Sequence, residues 1–77
     1  MQIKVMVFGQ LTDIIKSNSL AVDDIADTNS LVNKLNISFP ALANTKYIIA
    51  VDKQTINSNT KLNDGSIVAL LPPFSGG

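Results

Sequence analysis

The residues of this chain best placed to do chemistry stand at its C-terminus. The sequence closes on Leu71-Pro72-Pro73-Phe74-Ser75-Gly76-Gly77. Two prolines end strand pairing and stiffen the base of the arm in an extended form. The last two residues lack Cβ atoms, so they can enter a channel that any side chain would block. A terminal carboxylate titrates at about 3.3–3.7 and is an anionic oxygen nucleophile at neutral pH. Positioned by an enzyme against ATP, it can attack a phosphate and become an acyl-adenylate. Terminal Gly-Gly can also be simple fraying or a cloning scar. Here the glycines follow a diproline that directly ends the last strand, with no linker between, and that context favours a working tail.

The rest of the composition excludes most other chemistry. There is no His, Cys or Trp, and the charged set is six Lys and six Asp, with no Arg and no Glu, for a net charge of zero. Zinc and iron–sulfur centres need thiolates or imidazoles. Cys–His and Ser–His–Asp nucleophiles need the same groups. A disulfide framework has no cysteines to use. Zero net charge without Arg argues against nucleic acid. The six Asp are dispersed, and only Asp23 and Asp24 are adjacent. They read as solvated turn and surface groups rather than as metal ligands, which cluster. The longest largely apolar stretch, 67–74, carries two prolines and is far shorter than the roughly 20 residues of a membrane span. The first five residues read as a strand rather than a signal peptide, so a cytoplasmic location is expected.

The elements that must position the tail follow from hydrophobic periodicity. A chain of 77 residues makes one domain and buries only about 60% of its unfolded surface. Ile3, Val5 and Val7 alternate with Lys4, Met6 and Phe8, the period of a strand. Gly9 ends it, and Leu11, Ile14 and Ile15 form a short helical stripe. Leu20 and Val22, extended by Ile25, give a second strand that pairs with the first as a hairpin. Asp27-Thr28-Asn29-Ser30 is a run of helix caps, with Thr28 the preferred cap. Leu31, Leu35 and Phe39 follow at helical spacing with Val32 beside them, and Pro40 stops the helix. Residues 40–45 read as a loop. Residues 47–51 are almost wholly apolar and are expected as a central strand buried on much of both faces. Asp52-Lys53 turns the chain into a short strand, 54–56. Leu62 packs inward before the Asn63-Asp64-Gly65 turn, and residues 66–71 form the last strand.

This order predicts an α+β fold of the ubiquitin-like β-grasp type. A mixed sheet of four to five strands carries one long helix across one face, and the first and last strands pair in parallel through the crossover. The division expected is a domain over 1–71 and a flexible arm over 72–77.

The whole chain resembles the MoaD-like sulfur carriers, the small subunit of molybdopterin synthase. The resemblance is carried by residues 3–10 (Ile-Lys-Val-Met-Val-Phe-Gly-Gln), by Ala50-Val51-Asp52, by Leu62-Asn63-Asp64-Gly65 and, most specifically, by residues 68–77. It implies that Gly77 carries the reactive group, adenylated by a ubiquitin-activating-like enzyme that uses ATP and then converted to a thiocarboxylate. It implies that Phe74, Ser75 and Gly76 form the part of the arm that inserts into the large subunit. There the sulfur passes to cyclic pyranopterin monophosphate to build the dithiolene of molybdopterin. The carrier would then be a non-catalytic, sulfur-donating subunit of a transferase complex, a heterotetramer in this family. It would bind no cofactor of its own. Its acids, bases and substrate-binding groups would belong to its partners, in line with the absence of His, Cys and Arg. Two positions depart from the family pattern: Asp52, where Asn is usual, and Phe74, where a smaller aliphatic is more common.

One helix covers one face of a sheet, so Met6 and Phe8 should be left partly open on the other, with Leu71 beside them near the tail. Surplus apolar surface of this kind marks an interface, and Phe8, Leu71 and Met6 are the candidate contacts for the large subunit. The alternative is that Met6 packs under a loop and Phe8 caps the short helix. Competing functions share the fold and the tail: a sulfur carrier for thiamine or tRNA thiolation, a ubiquitin-like protein modifier, or a plain interaction module.

Overall fold

A computed structural model describes residues 2–73. Strand β1 (Gln2–Val7) is followed by helix α1 (Leu11–Ile15), strand β2 (Ser19–Asp23) and helix α2 (Thr28–Ser38). A 3₁₀ turn (Pro40–Asn44) leads to β3 (Ile48–Val51), β4 (Gln54–Ile56) and β5 (Ile67–Leu71). The five strands form one sheet in the order β2-β1-β5-β3-β4. β1 and β5 run parallel. The other neighbours, β1–β2, β3–β4 and β3–β5, are antiparallel. With α2 crossing one face, this is the expected α+β β-grasp.

The alternation in β1 decides which face is covered. Ile3, Val5 and Val7 are buried on the helix side. The register then places Val22 opposite Ile3, Val68 opposite Val5 and Leu70 opposite Val7. Across the next pair Ile49 meets Leu70 and Val51 meets Val68. Leu31 and Leu35 of α2 press onto this layer, joined by Leu11 and Ile15 of α1 and by Ile25, Leu42 and Leu62 from the connections. Ile25 sits in the core although β2 has already ended at Asp23, because Asp24 turns the chain with φ 61°.

Three expectations are corrected. The cap of α2 is Asp27, not Thr28. Asp27 is extended at φ −152°, ψ 171°, and its carboxylate accepts the Ser30 N–H at 2.9 Å. Thr28 is the first helical residue and is buried. Its hydroxyl is engaged elsewhere, accepting the Thr60 N–H at 2.9 Å and donating to Asn59 Oδ1 at 3.3 Å. The segment after Pro40 is a 3₁₀ turn rather than a loop, begun by proline at its first turn and pinned by the buried Leu42. The middle of the sheet is β5, flanked by β1 and β3. β3 lies one strand in from the edge, and only Ala50 in it is fully buried.

Candidate functional site

The uncovered face of the sheet is the site that this fold builds. Because side chains alternate along a strand, the residues between the core positions of β1 and β5 all point away from α2. They are Lys4, Met6 and Phe8 on one strand and Ile67, Ala69 and Leu71 on the other. Parallel pairing sets Met6 against Ala69 and Lys4 against Ile67. The Phe8 N–H donates to the Leu70 carbonyl at 3.1 Å, which carries the ladder one residue past the end of β1. Phe8 thus lies at the tail end of the face, level with Leu71.

Large apolar groups stay open here. Phe8 is 42% and Ile67 44% exposed, while Met6 and Leu71 are half-buried. Met6, Phe8, Ile67 and Ala69, with Asp52 and Lys53 at the rim, line a shallow cavity of about 360 Å³. The expected grouping of Met6, Phe8 and Leu71 on one open face is therefore what the fold produces. Ile67, absent from that trio, is the more exposed apolar residue of β5. Its strand position placed it on this face, but nothing in the local sequence says how far the neighbouring hairpin leaves it uncovered.

The rim is fixed by backbone bonds. Asp52 and Lys53 form the two-residue turn between β3 and β4, both with positive φ, 48° and 75°. The Asp52 N–H donates to the Ile67 carbonyl at 2.8 Å, and Asp52 Oδ1 accepts the Ile67 N–H at 3.0 Å. The turn is thereby stapled to the start of β5. Asn at this position would offer the same acceptor oxygen, so the departure at Asp52 preserves the contact.

The base of the tail is also anchored. Gly9 sits at φ 61°, and a Cβ built there would lie 2.5 Å from Pro72 Cγ. Glycine thus lets the Pro72 ring settle onto the turn after β1, beside Phe8. This contact joins residues far apart in sequence, so the sequence marked Gly9 only as the end of a strand. Phe74, Ser75, Gly76 and Gly77 lie outside the described residues. Among the described residues no group of His, Cys, Asp or Glu could hold a metal ion, and no helix is long and apolar enough to cross a membrane.

Comparison with known proteins agrees with this architecture. The chain is 28% identical to the molybdopterin synthase sulfur carrier subunit of Dictyostelium discoideum, over 99% of this chain and 96% of that one. It is 30% identical to the subunit of the same name from Chlamydomonas reinhardtii, over 100% of both. Among solved structures, a chain from the complex of subunits 1 and 2 of the Helicobacter pylori molybdopterin-converting factor matches with TM-score 0.74 and 29% identity, over 100% of both chains. The small archaeal modifier protein 1 of Methanosarcina acetivorans superposes with TM-score 0.83 over 99% of this chain and 96% of that one; at 21% identity it speaks for the fold alone. The model of the ThiS family matches residues 5–77, and with so little of the sequence left outside the match, the chain belongs to the ThiS family.

Proposed function

We propose that this protein is the sulfur-carrier small subunit of molybdopterin synthase. The observation that carries the reading is the open apolar face of exposed Phe8 and Ile67 with half-buried Met6 and Leu71, with the chain that leads to Gly76-Gly77 departing from its edge at Pro72. An apolar surface beside a slim terminal arm suits a protein that docks by its sheet and delivers its end into a partner's site. The full-length relatives of the same size, named as sulfur carrier subunits, support it. So does the Helicobacter pylori neighbour, which was solved as a complex of two subunits.

The chemistry resides in one group. The Gly77 carboxylate attacks the α-phosphorus of ATP on a ubiquitin-activating-like enzyme, and pyrophosphate leaves. A sulfur donor then displaces AMP from the acyl carbon and leaves a thiocarboxylate. Bound to the large subunit, that sulfur displaces an oxygen substituent from a carbon of cyclic pyranopterin monophosphate, the oxygen leaving with the opened phosphate or as water. Water then cleaves the acyl–sulfur bond and restores the carboxylate. Gly76 keeps the approach narrow, and Phe74 and Ser75 line the inserted arm. A chain without His, Cys, Arg or Glu offers little general acid–base chemistry, so proton transfer and substrate binding fall to the large subunit.

The test is reconstitution. The thiocarboxylated chain, mixed with a large subunit and cyclic pyranopterin monophosphate, should yield molybdopterin in proportion to the carrier consumed. A thiocarboxylate that transfers sulfur only to a thiazole precursor or to tRNA would overturn the acceptor. A ladder of lysine conjugates with no transfer would overturn the carrier role.

A further inference from the structure

The two ends of one sheet edge are covered by side chains that bond to its backbone. β2 is an edge strand, with β1 on one side only. Val7 and Asn18 share a ladder bond at 3.0 Å, and opposite residues in the same register pair Val5 with Leu20 and Ile3 with Val22. In an antiparallel pair, bonded and non-bonded residues alternate. Asn18, Leu20 and Val22 therefore spend their N–H and C=O groups on β1. Ser19, Ala21 and Asp23 turn theirs outward, where another strand could take them.

Two side chains occupy the outer positions of that row. The Ser17 hydroxyl donates to the Ser19 carbonyl at 2.7 Å and accepts the Ser19 N–H at 3.3 Å. At the other end the Lys34 ammonium reaches over from α2 and donates to the Asp23 carbonyl at 3.1 Å. Among the described residues no side chain bonds to Ala21. The natural pairing of two such edges is antiparallel about a two-fold axis at Ala21, which sets Ser19 of one copy against Asp23 of the other. Outside the central Ala21 pair, the single Ser19 N–H is already spent on Ser17 Oγ, and the Ser19 and Asp23 carbonyls, though each keeps a second lone pair, carry a side chain on the side where the new strand would lie.

We propose that Ser17 and Lys34 keep the β2 edge from pairing with a second copy of this chain, and that their loss lets two copies pair edge to edge. This rests on the edge alone and not on the sulfur-carrier reading. The two seals act by different means. Ser17 satisfies the backbone locally, while Lys34 also brings a charge to the edge, and extending the sheet would force it to move.

The test compares the full chain with the double variant Ser17→Ala, Lys34→Met, which keeps the aliphatic stem of residue 34 and removes its donor. Both positions are exposed, and circular dichroism confirms that the variant is folded. Sedimentation should show self-association on the order of ten-fold tighter than in the parent chain, with exchange of the Ala21 amide slowing as concentration rises. Adding Ala21→Pro, which removes the central outward N–H, should return the double variant to a monomer. A double variant that stays monomeric overturns the proposal, and so does a dimer whose Ala21 amide exchanges at the same rate at all concentrations. A parent chain already paired through Ala21 overturns it as well.

Discussion

Truncating Phe8 to alanine should loosen docking to the large subunit by about 2 kcal/mol. A buried aromatic ring covers roughly 150–250 Å². Phe8 is 42% exposed in the free chain, so on the order of 60–100 Å² of it is left for a partner to cover. At about 25 cal/mol per Å² that is roughly 1.5–2.5 kcal/mol, or close to 30-fold in Kd. The change should act through the dissociation rate, as most interface truncations do. Phe8→Asp should cost more, because a partner that covers it must also desolvate a charge. Titration calorimetry against the purified large subunit measures the effect, with circular dichroism confirming the fold. Ile37→Ala is the control. Ile37 is 81% exposed, yet it stands on α2, across the sheet from the open face. Its removal should leave Kd unchanged. Unaltered affinity in Phe8→Ala, or an equal loss in Ile37→Ala, would refute the assignment of the docking face.

Three further outcomes follow from the backbone and the caps. Lys53 holds φ 75°, a conformation costing a non-glycine residue roughly 1–2 kcal/mol. Lys53→Gly should therefore stabilise the chain by about 0.5–1 kcal/mol after glycine's own entropy cost, raising Tm by roughly 2–8 °C; a lower Tm would contradict the strain. Gly9→Val places a branched side chain at φ 61° and against the Pro72 ring. It should destabilise the chain by about 2–4 kcal/mol in urea unfolding, and a change near zero would show that Pro72 is not seated on the turn. Asp27 titrates below its ordinary 3.8, chiefly through the Ser30 hydroxyl, then the Ser30 N–H and the Asn59 amide. A lowered folded value means that the ionised cap stabilises the fold above about pH 3.8 and that this contribution fades as pH falls through the folded value. Asp27→Asn should therefore show a urea midpoint that changes less than the parent's between neutral pH and about pH 2; equal changes would remove Asp27 from the account.

The fold was legible where a signal is local. The alternation of Ile3, Val5 and Val7 against Lys4, Met6 and Phe8 fixes both the strand and its buried face, and one helix cannot cover the other face. Met6, Phe8 and Leu71 therefore share the open face by alternation alone. What escaped depends on distant partners. Four cap-competent residues stand in a row at 27–30, and the choice among them is made by Asn59 and Thr60, which engage Thr28 and leave Asp27 to cap. The seating of β5 in the middle of the sheet is a property of strand order, which no run of residues encodes by itself. Residues 40–44 are too few to show a period, so their 3₁₀ turn read as a loop. The Gly9–Pro72 contact and the Asp52–Ile67 staple are likewise long-range, and they bound the open face at its two ends.

Sulfur carriage turns on one atom at Gly77, so the most direct measurement is mass spectrometry of the C-terminal peptide. The chain would be isolated from its native host, or incubated with ATP, an activating enzyme and a sulfur source. Intact mass is insufficient, because replacing oxygen by sulfur adds nearly the same mass as oxidising Met1 or Met6. A terminal fragment ending at Gly77 with sulfur in place of one carboxylate oxygen is the predicted result. A terminus found only as the free acid, with activating enzyme and sulfur source both supplied, would contradict the account.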